Sequence, residues 1–109
     1  MSLLLINKLT AKPGRRDEAM AILLESGRAF EGIGACLMYL VSRDADDDDV
    51  IWVQDVWTDE AAHERAMADP AMQEQVRRAV PLLAGMPEQH RVEPAGGKSP
   101  FPLPPADAH

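Results

Sequence analysis

The chain has 109 residues, of which 46% are hydrophobic and 27% charged, and its net charge is −7. This length and apolar content predict one small domain with its own core and exclude wholesale disorder. The acidic balance argues against binding of nucleic acids or anionic membranes, because both need clustered lysine and arginine. The single cysteine and the short first apolar run favour a cytoplasmic protein without a disulfide, a signal peptide or a membrane span.

The first two predicted elements are a strand and a helix. Residues 3–11 are largely apolar, and the proline and glycine of the following turn predict that the strand ends there. Between residues 15 and 30 the apolar spacing changes to a period of 3.6, which predicts an amphipathic helix. Asp17 and Glu18 lie in its first turn, where the helix dipole favours negative charge.

Two apolar strands follow, at residues 35–41 and 50–57, separated by an acidic turn. Asp44, Asp46 and Asp48 have the spacing of a calcium loop, but the position at which that loop needs glycine is aspartate, so a solvated hairpin turn is favoured. A strand with one wet face would alternate polar and apolar residues, whereas these strands are apolar on nearly both faces. The helices can cover one face, and we predict that a second copy of the chain covers the other, giving a homodimer.

Two more helices and a last strand complete the predicted order βαββαβ. One helix spans about residues 61–68, with Thr58 as its expected N-cap, and the next begins at Asp69 and Pro70. Residues 87–93 form a short polar strand. This order, with the second helix split in two, predicts an α+β ferredoxin-like fold with an antiparallel sheet.

The composition predicts a folded domain over residues 1–93 and a proline-rich tail over residues 94–109. Phe101 and Leu103 are the only sizeable apolar anchors in that tail. We expect these two side chains to hold the tail against the domain or against a second subunit.

Candidate functional residues must be sought among polar side chains within apolar elements, because the sequence has no zinc spacing, phosphate loop, nucleotide fingerprint or serine triad. Asn7 shares a strand face with three leucines, and Asp55 shares one with Trp57. A buried amide costs roughly 1–3 kcal/mol if it is unsatisfied, so Asn7 makes either a structural hydrogen bond or a ligand contact. For Trp57 both core packing and a substrate wall are open.

Three further side chains have less specific signals. Cys36 lies in a strand and is expected to pack as a small hydrophobe. His63 precedes Met67 by one helical turn on the same face, which is typical of a partly exposed helix residue. Tyr39 needs a hydrogen-bond partner if it is buried.

Several short motifs are informative through their order and spacing. They are Asn7-Lys8-Leu9, Lys12-Pro13-Gly14, Cys36-Leu37-Met38-Tyr39, Ser42-Arg43-Asp44, Val56-Trp57-Thr58-Asp59-Glu60-Ala61-Ala62 and Pro81-Leu82-Leu83-Ala84-Gly85. Together these motifs resemble those of the antibiotic biosynthesis monooxygenase domain, of the dimeric α+β barrel superfamily. The resemblance covers about residues 3–93.

The resemblance implies a cofactor-independent monooxygenase that acts on a small phenolic, quinol or polycyclic aromatic substrate with dioxygen. The deprotonated substrate would pass an electron to dioxygen itself, so that no flavin, heme or metal is expected. The resemblance carries over Asn7 and Trp57 as residues of the substrate pocket, where Asn7 would donate a hydrogen bond to a phenolate and Trp57 would stack on the ring. His63 lies on the same helix as the family's histidine position, Ala66, and three residues before it, so we predict that it relays a proton. The predicted catalytic residues are therefore Asn7, Trp57 and His63, and the predicted substrate-binding residues are Tyr39, Asp55 and Met67.

Two departures from the resemblance leave an alternative open. Many members carry histidines on the second helical segment, at positions that are Ala66 and Ala71 here, and the iron ligand of related heme-degrading enzymes would fall near Val76. The alternative is a non-catalytic homodimer that binds a small ligand or has a structural role on the same scaffold.

Overall fold

The computed structural model describes residues 2–103, which form a four-stranded antiparallel sheet with three α-helices. The elements in chain order are β1 (Leu3–Thr10), α1 (Arg16–Phe30), β2 (Cys36–Arg43), β3 (Val50–Trp57), α2 (Glu60–Met67), α3 (Pro70–Ala79) and β4 (Glu88–Val92). The strand order in the sheet is β2-β3-β1-β4, and every pairing is antiparallel. The predicted α+β ferredoxin-like fold is therefore confirmed, including the split of the second helical segment.

Between β3 and β4, two aspartate N-caps define where the short helices α2 and α3 begin. Asp59 is the N-cap of α2, and its carboxylate accepts the backbone N–H of Ala62 at 2.7 Å. The prediction that Thr58 caps this helix is wrong, because a carboxylate one residue later reaches the free amides of the first turn. Helix α3 begins as predicted, with Asp69 as its N-cap and Pro70 at its first position.

The acidic segment between β2 and β3 is a hairpin turn organised by Asp44. Its carboxylate accepts the backbone N–H groups of Asp46 and Asp47, and its other oxygen accepts the indole N–H of Trp52 at 2.7 Å. These hydrogen bonds, with that of Trp52 the largest influence, lower the pKa of Asp44. Between residues 2 and 103, no cluster of three or more histidine, cysteine, aspartate or glutamate side chains is suited to hold a metal ion.

The two faces of the sheet differ in what covers them. Odd-numbered residues of β1 and β3 face the helices and form the core, with fully buried Leu5, Ile51 and Trp57 at its centre. The opposite face, here called the open face, carries apolar side chains that belong to neither core cluster. It consists of Leu4, Ile6, Met38, Leu40, Trp52, Val56 and Val92.

The tail beyond β4 has no regular secondary structure up to residue 103, and Phe101 and Leu103 are partly buried within it. The rest of the predicted tail, residues 104–109, lies outside the described residues, as does residue 1. In the part of the chain that the structure describes, no helix has the length and apolar character needed to cross a membrane.

Candidate functional site

A cavity of about 350 Å³ lies between the helix-covered face of the sheet and the helices. Five of the six candidate residues named above line it, namely Asn7, Tyr39, Asp55, His63 and Met67. Most of the remaining lining is apolar and comes from Leu9, Leu23, Phe30, Val53, Met72, Val76 and Pro87. An apolar cleft with a few convergent polar groups is the usual form of a small-molecule site.

A larger groove, of about 510 Å³, runs outside the core between α1 and the edge strand β2. Its charged side chains, Arg28 and Glu31, are exposed, and its lining contains no buried carboxylate or imidazole. Size alone therefore does not identify the site. The buried carboxylate of Asp55 and the imidazole of His63 both line the smaller cavity.

The polar end of the cavity is a hydrogen-bonded chain that spans three strands. Gln89 of β4 donates to Oδ1 of Asn7 at 2.8 Å, and Nδ2 of Asn7 donates to Oδ1 of Asp55 at 3.3 Å and to the carbonyl of Val53 at 3.2 Å. The indole N–H of Trp57 donates to Oδ2 of Asp55 at 2.6 Å. Asp55 is therefore held from both sides by donors of its neighbours.

Asp55 is an unpaired carboxyl group in an apolar setting. It is 6% exposed, and none of the ion pairs within residues 2–103 involves it. Burial raises its pKa to about 6, although the hydrogen bonds from Trp57 and Asn7 oppose the shift. A pKa close to neutrality suits a group that takes and returns a proton.

Trp57 lies behind the cavity wall and not on it. Its side chain is 0% exposed and is enclosed by edge-to-face contacts with Phe30 and His63, at ring-centroid distances of 5.3 and 5.4 Å. It is absent from the cavity lining. The predicted stacking of Trp57 on a substrate ring does not fit this geometry, because an enclosed indole has no free face, and Trp57 instead influences the site through Asp55.

The amide of Asn7 lines the cavity, but both of its hydrogens are already engaged with Val53 and Asp55. The predicted hydrogen bond from Asn7 to a phenolate would require one of these two bonds to break. In this geometry Asn7 positions the Asp55 carboxylate, and Gln89 in turn fixes the orientation of the Asn7 amide.

Tyr39 and Ser26 contribute hydroxyl groups beside the carboxylate. The Tyr39 hydroxyl donates to the carbonyl of Leu23 at 3.0 Å, and burial together with the charge of Asp55 raises the pKa of Tyr39. Ser26 is 5% exposed and makes hydrogen bonds to the carbonyl of Ile22 and to the side chain of Gln75. Both hydroxyls therefore keep their protons and direct them away from Asp55.

His63 supplies the imidazole of the cavity. Burial, and secondarily the charge of Arg91, lowers its pKa, so that the ring is neutral at pH 7. The two positions at which relatives are expected to carry a helix histidine hold alanine here. Ala66 is packed in the core at 9% exposure, and Ala71 is exposed on α3. His63 is thus the imidazole that lines this cavity, and the exposed His90 on β4 does not reach it.

Cys36 is a packed thiol beside this network. It is partly buried and makes a hydrogen bond to the carbonyl of Met38. Burial, reinforced by the charge of Asp55, raises its pKa to about 11, so the side chain is a neutral thiol at physiological pH. This agrees with its expected role as a small hydrophobe.

Two residues of the site were not predicted from the sequence. Ser26 lies four residues after Ile22 and four before Phe30, so a hydroxyl on the apolar face of α1 was a visible signal. Gln89 gave no such signal, because its contact with Asn7 depends on the register between β1 and β4.

Comparison with known proteins places this fold in a family. The model of the antibiotic biosynthesis monooxygenase family matches residues 2–78. A crystal structure of a Chloroflexus aurantiacus protein assigned to these monooxygenases is 34% identical, with a TM-score of 0.80 over 91% of this chain and 98% of that one. The chain therefore belongs to the antibiotic biosynthesis monooxygenase family.

More distant solved structures share the fold. SnoaB, a cofactor-independent oxygenase from Streptomyces nogalater, is 21% identical with a TM-score of 0.77, over 92% of this chain and 98% of that chain. Rv0793 from Mycobacterium tuberculosis is 15% identical with a TM-score of 0.82, over 91% of this chain and 100% of that chain. Among curated proteins, none matches this sequence significantly.

Proposed function

We propose that the protein is a cofactor-independent monooxygenase that oxidises a small hydroxyaromatic substrate, a phenol, quinol or the enol of an anthrone, in the cavity around Asp55. The observation that carries this proposal is a buried, unpaired carboxylate, held by Asn7 and Trp57, at the polar end of an apolar cavity. Family membership and the fold shared with SnoaB support the reaction class.

The first step is removal of the substrate proton. The O–H bond of the substrate breaks, its proton moves to a carboxylate oxygen of Asp55, and the electron pair stays on the aromatic system. Asp55 is suited to this step because burial places its pKa near neutrality, and because the fixed donors of Asn7 and Trp57 hold it in place. His63, neutral and on the same cavity, would pass the proton onward.

The second step needs no protein-bound redox group, because the substrate anion supplies the electrons. The anion transfers an electron to dioxygen and the resulting radicals join through a new C–O bond. For the enol of an anthrone, Asp55, reprotonated through His63, gives a proton to the peroxide. The remaining C–H bond at the peroxide carbon then breaks, its electron pair forms the carbonyl as the O–O bond breaks, and the released proton and hydroxide leave as water. One dioxygen is consumed for each carbonyl and water formed, so atoms and electrons balance without an external reductant.

A non-catalytic ligand-binding role is the second candidate, and the packing of Ala66 favours it. That position, where many relatives are expected to carry histidine, holds a methyl group in the core here. If Asp55 and His63 do not take over the role of the histidine that is absent at position 66, the cavity would bind aromatic ligands without turnover.

We also propose that the protein acts as a homodimer through the open face. Leu40 and Val92 on this face are 49% and 40% exposed, beside Leu4, Ile6 and Trp52. A continuous apolar surface of this kind is rare on stable monomers. A second copy would cover it with the same residues by two-fold symmetry.

Oxygen uptake with a panel of anthrones and hydroquinones, in buffer with a metal chelator, tests the monooxygenase proposal. We expect consumption of dioxygen in step with product, and one labelled oxygen atom per product when labelled dioxygen is supplied. Asp55→Asn should lower kcat by about 10²–10⁴-fold, the usual contribution of a general base. Asp48→Asn in the exposed hairpin turn is the matched control. Ligand binding without oxygen uptake would establish the non-catalytic alternative.

A further inference from the structure

The hydrogens of the polar side chains beside Asp55 in the cavity are engaged within the protein. Both amide hydrogens of Asn7 go to Val53 and Asp55, and the Tyr39 hydroxyl hydrogen goes to Leu23. The single hydroxyl hydrogen of Ser26 has two protein acceptors, the Ile22 carbonyl and the Gln75 side chain. None of these side chains has a hydrogen left for a ligand.

The acceptors at the same end of the cavity are not all used. A carboxylate offers about four acceptor positions, and Asp55 uses two of them, for Asn7 and Trp57. Asp55 lines the cavity, and so do the hydroxyl-bearing Tyr39 and Ser26. A ligand that reaches this end therefore finds acceptors, and among them a full negative charge.

The remaining donors of the lining belong to its more exposed members. His63 is partly exposed and carries one N–H in its neutral form, while Gln89 is exposed and keeps one amide hydrogen beyond the one that it gives to Asn7. A ligand carbonyl can be satisfied by these groups, but not beside Asp55, where two acceptors would face each other without a hydrogen between them.

We propose that the cavity distinguishes the oxidation state of its ligand, binding the reduced hydroxyl form of an aromatic ring and rejecting the oxidised carbonyl form. This inference rests on the proposed function, and it adds the basis on which substrate and product are told apart. A hydroxyl group donates to Asp55 in the reduced form. A quinone carbonyl in the same place leaves two acceptors opposed in a desolvated site, which is unfavourable.

The selectivity has a consequence for turnover. The oxygen that donates its hydrogen to Asp55 in an enol or quinol substrate is a carbonyl oxygen in the quinone product. The product therefore loses the hydrogen bond that held the substrate, and it is bound less tightly than the substrate that replaces it. The same feature protects the enzyme from inhibition by quinone that accumulates around it.

Anaerobic calorimetry with three ligands of one skeleton tests the inference. The ligands are tetramethylhydroquinone, its dimethyl ether and tetramethylbenzoquinone, whose ring positions are all blocked, so that the Cys36 thiol cannot add to the quinone. We expect the hydroquinone to bind at least about tenfold more tightly than the quinone, the difference that one unsatisfied buried acceptor produces. Equal or tighter binding of the quinone, or no binding of any of the three, would overturn the inference.

Asp55→Asn provides a second readout, because it places an amide donor where the carboxylate stood. The preference should then shift toward the quinone by about tenfold or more, whereas mere damage to the cavity would weaken all three ligands together. Asp48→Asn should keep the preference of the unaltered protein. An Asp55→Asn protein that binds ligands with the original preference would contradict the role of the carboxylate.

The ligand series and the oxygen-uptake assay separate the two proposals. Selective binding of the hydroquinone without oxygen consumption by any anthrone or hydroquinone would end the monooxygenase proposal and keep the ligand selectivity. Oxygen consumption with no preference between hydroquinone and quinone would keep the monooxygenase and refute the selectivity.

Discussion

The indole N–H of Trp57 donates a 2.6 Å hydrogen bond to Asp55, two residues earlier on the same face of β3. The strand geometry makes this contact local, because residues i and i+2 point to the same side of a sheet. A fully buried tryptophan thus acts on the cavity without touching a ligand, by fixing one oxygen of the carboxylate and stabilising its charged form.

Replacing Trp57 by phenylalanine should raise the pKa of Asp55, since the hydrogen bond from the indole lowers it. The acidic limb of the pH profile of kcat/KM would move to higher pH. The free energy of unfolding should fall by about 2–4 kcal/mol, from the lost hydrogen bond to a charge and the smaller ring.

The matched control for this prediction is Trp52→Phe, because Trp52 lies on the open face and donates to Asp44 instead. Trp52→Phe should leave the acidic limb of the pH profile of kcat/KM at the same pH as in the unaltered protein. An unchanged acidic limb in Trp57→Phe would show that Trp57 has a packing role only.

The pH dependence of stability should differ between the unaltered protein and Asp55→Asn. The folded-state pKa of Asp55 is raised from 3.8 to about 6, so the folded protein holds this proton more tightly than the unfolded chain does. The associated stability is fully present below about pH 4 and is lost as the pH rises through about 6, and a shift of two units corresponds to about 3 kcal/mol at most.

The comparison with Asp55→Asn is needed because other titratable groups in and beside the cavity also affect the pH dependence of stability. The lowered pKa of His63 has the opposite effect, favouring folding as the pH rises, while Cys36 and Tyr39 stay protonated throughout this range. Urea unfolding between pH 4 and 7.5 measures the difference. A difference that does not change with pH would mean that Asp55 titrates normally.

His63→Ala should lower kcat by about tenfold or more and leave KM within a small factor, because His63 is proposed to pass on a proton and not to anchor the substrate. His90→Ala is the matched control, since His90 lies exposed on β4 and does not line the cavity. If His63→Ala retains full activity while Asp55→Asn loses it, the proton reaches solvent by another route.

Leu40→Glu should convert the dimer to a monomer, because it places a charge on the open face. Light scattering should then give a mass near 11.9 kDa, whereas we expect twice that value for the unaltered protein. Leu24→Glu on α1 is the matched control, with 50% exposure against 49% for Leu40. A monomeric unaltered protein at micromolar concentration would refute the homodimer.

The strands and most helix ends could be predicted because each depends on local signals. The apolar run of β3 and the Asp69-Pro70 start of α3 are read directly from neighbouring residues. The position of Asp55 followed from alternation along β3, but its central role did not. That role depends on Asn7, which is 48 residues away and is brought beside Asp55 only by the pairing of β1 with β3.

The place of Trp57 could not be predicted for a related reason. Alternation assigns a side chain to a face of the sheet, but it does not say whether a helix or a cavity lies above it. Phe30 from α1 and His63 from α2 enclose the indole here. The contact with Phe30 joins elements distant in sequence, and the contact with His63 depends on how α2 packs against the end of β3.

The hydrogen bond from Gln89 to Asn7 joins residues 82 positions apart, between the first strand of the chain and the last. During synthesis the hydrophobic core around Leu5 and Trp57 can therefore form before the polar end of the cavity is complete. Until β4 emerges from the ribosome and pairs with β1, the Asn7 amide lacks the hydrogen bond from Gln89 that helps to fix its orientation beside Asp55. A nascent chain would therefore form its hydrophobic core first, and the polar end of the cavity would be complete only after β4 has paired with β1.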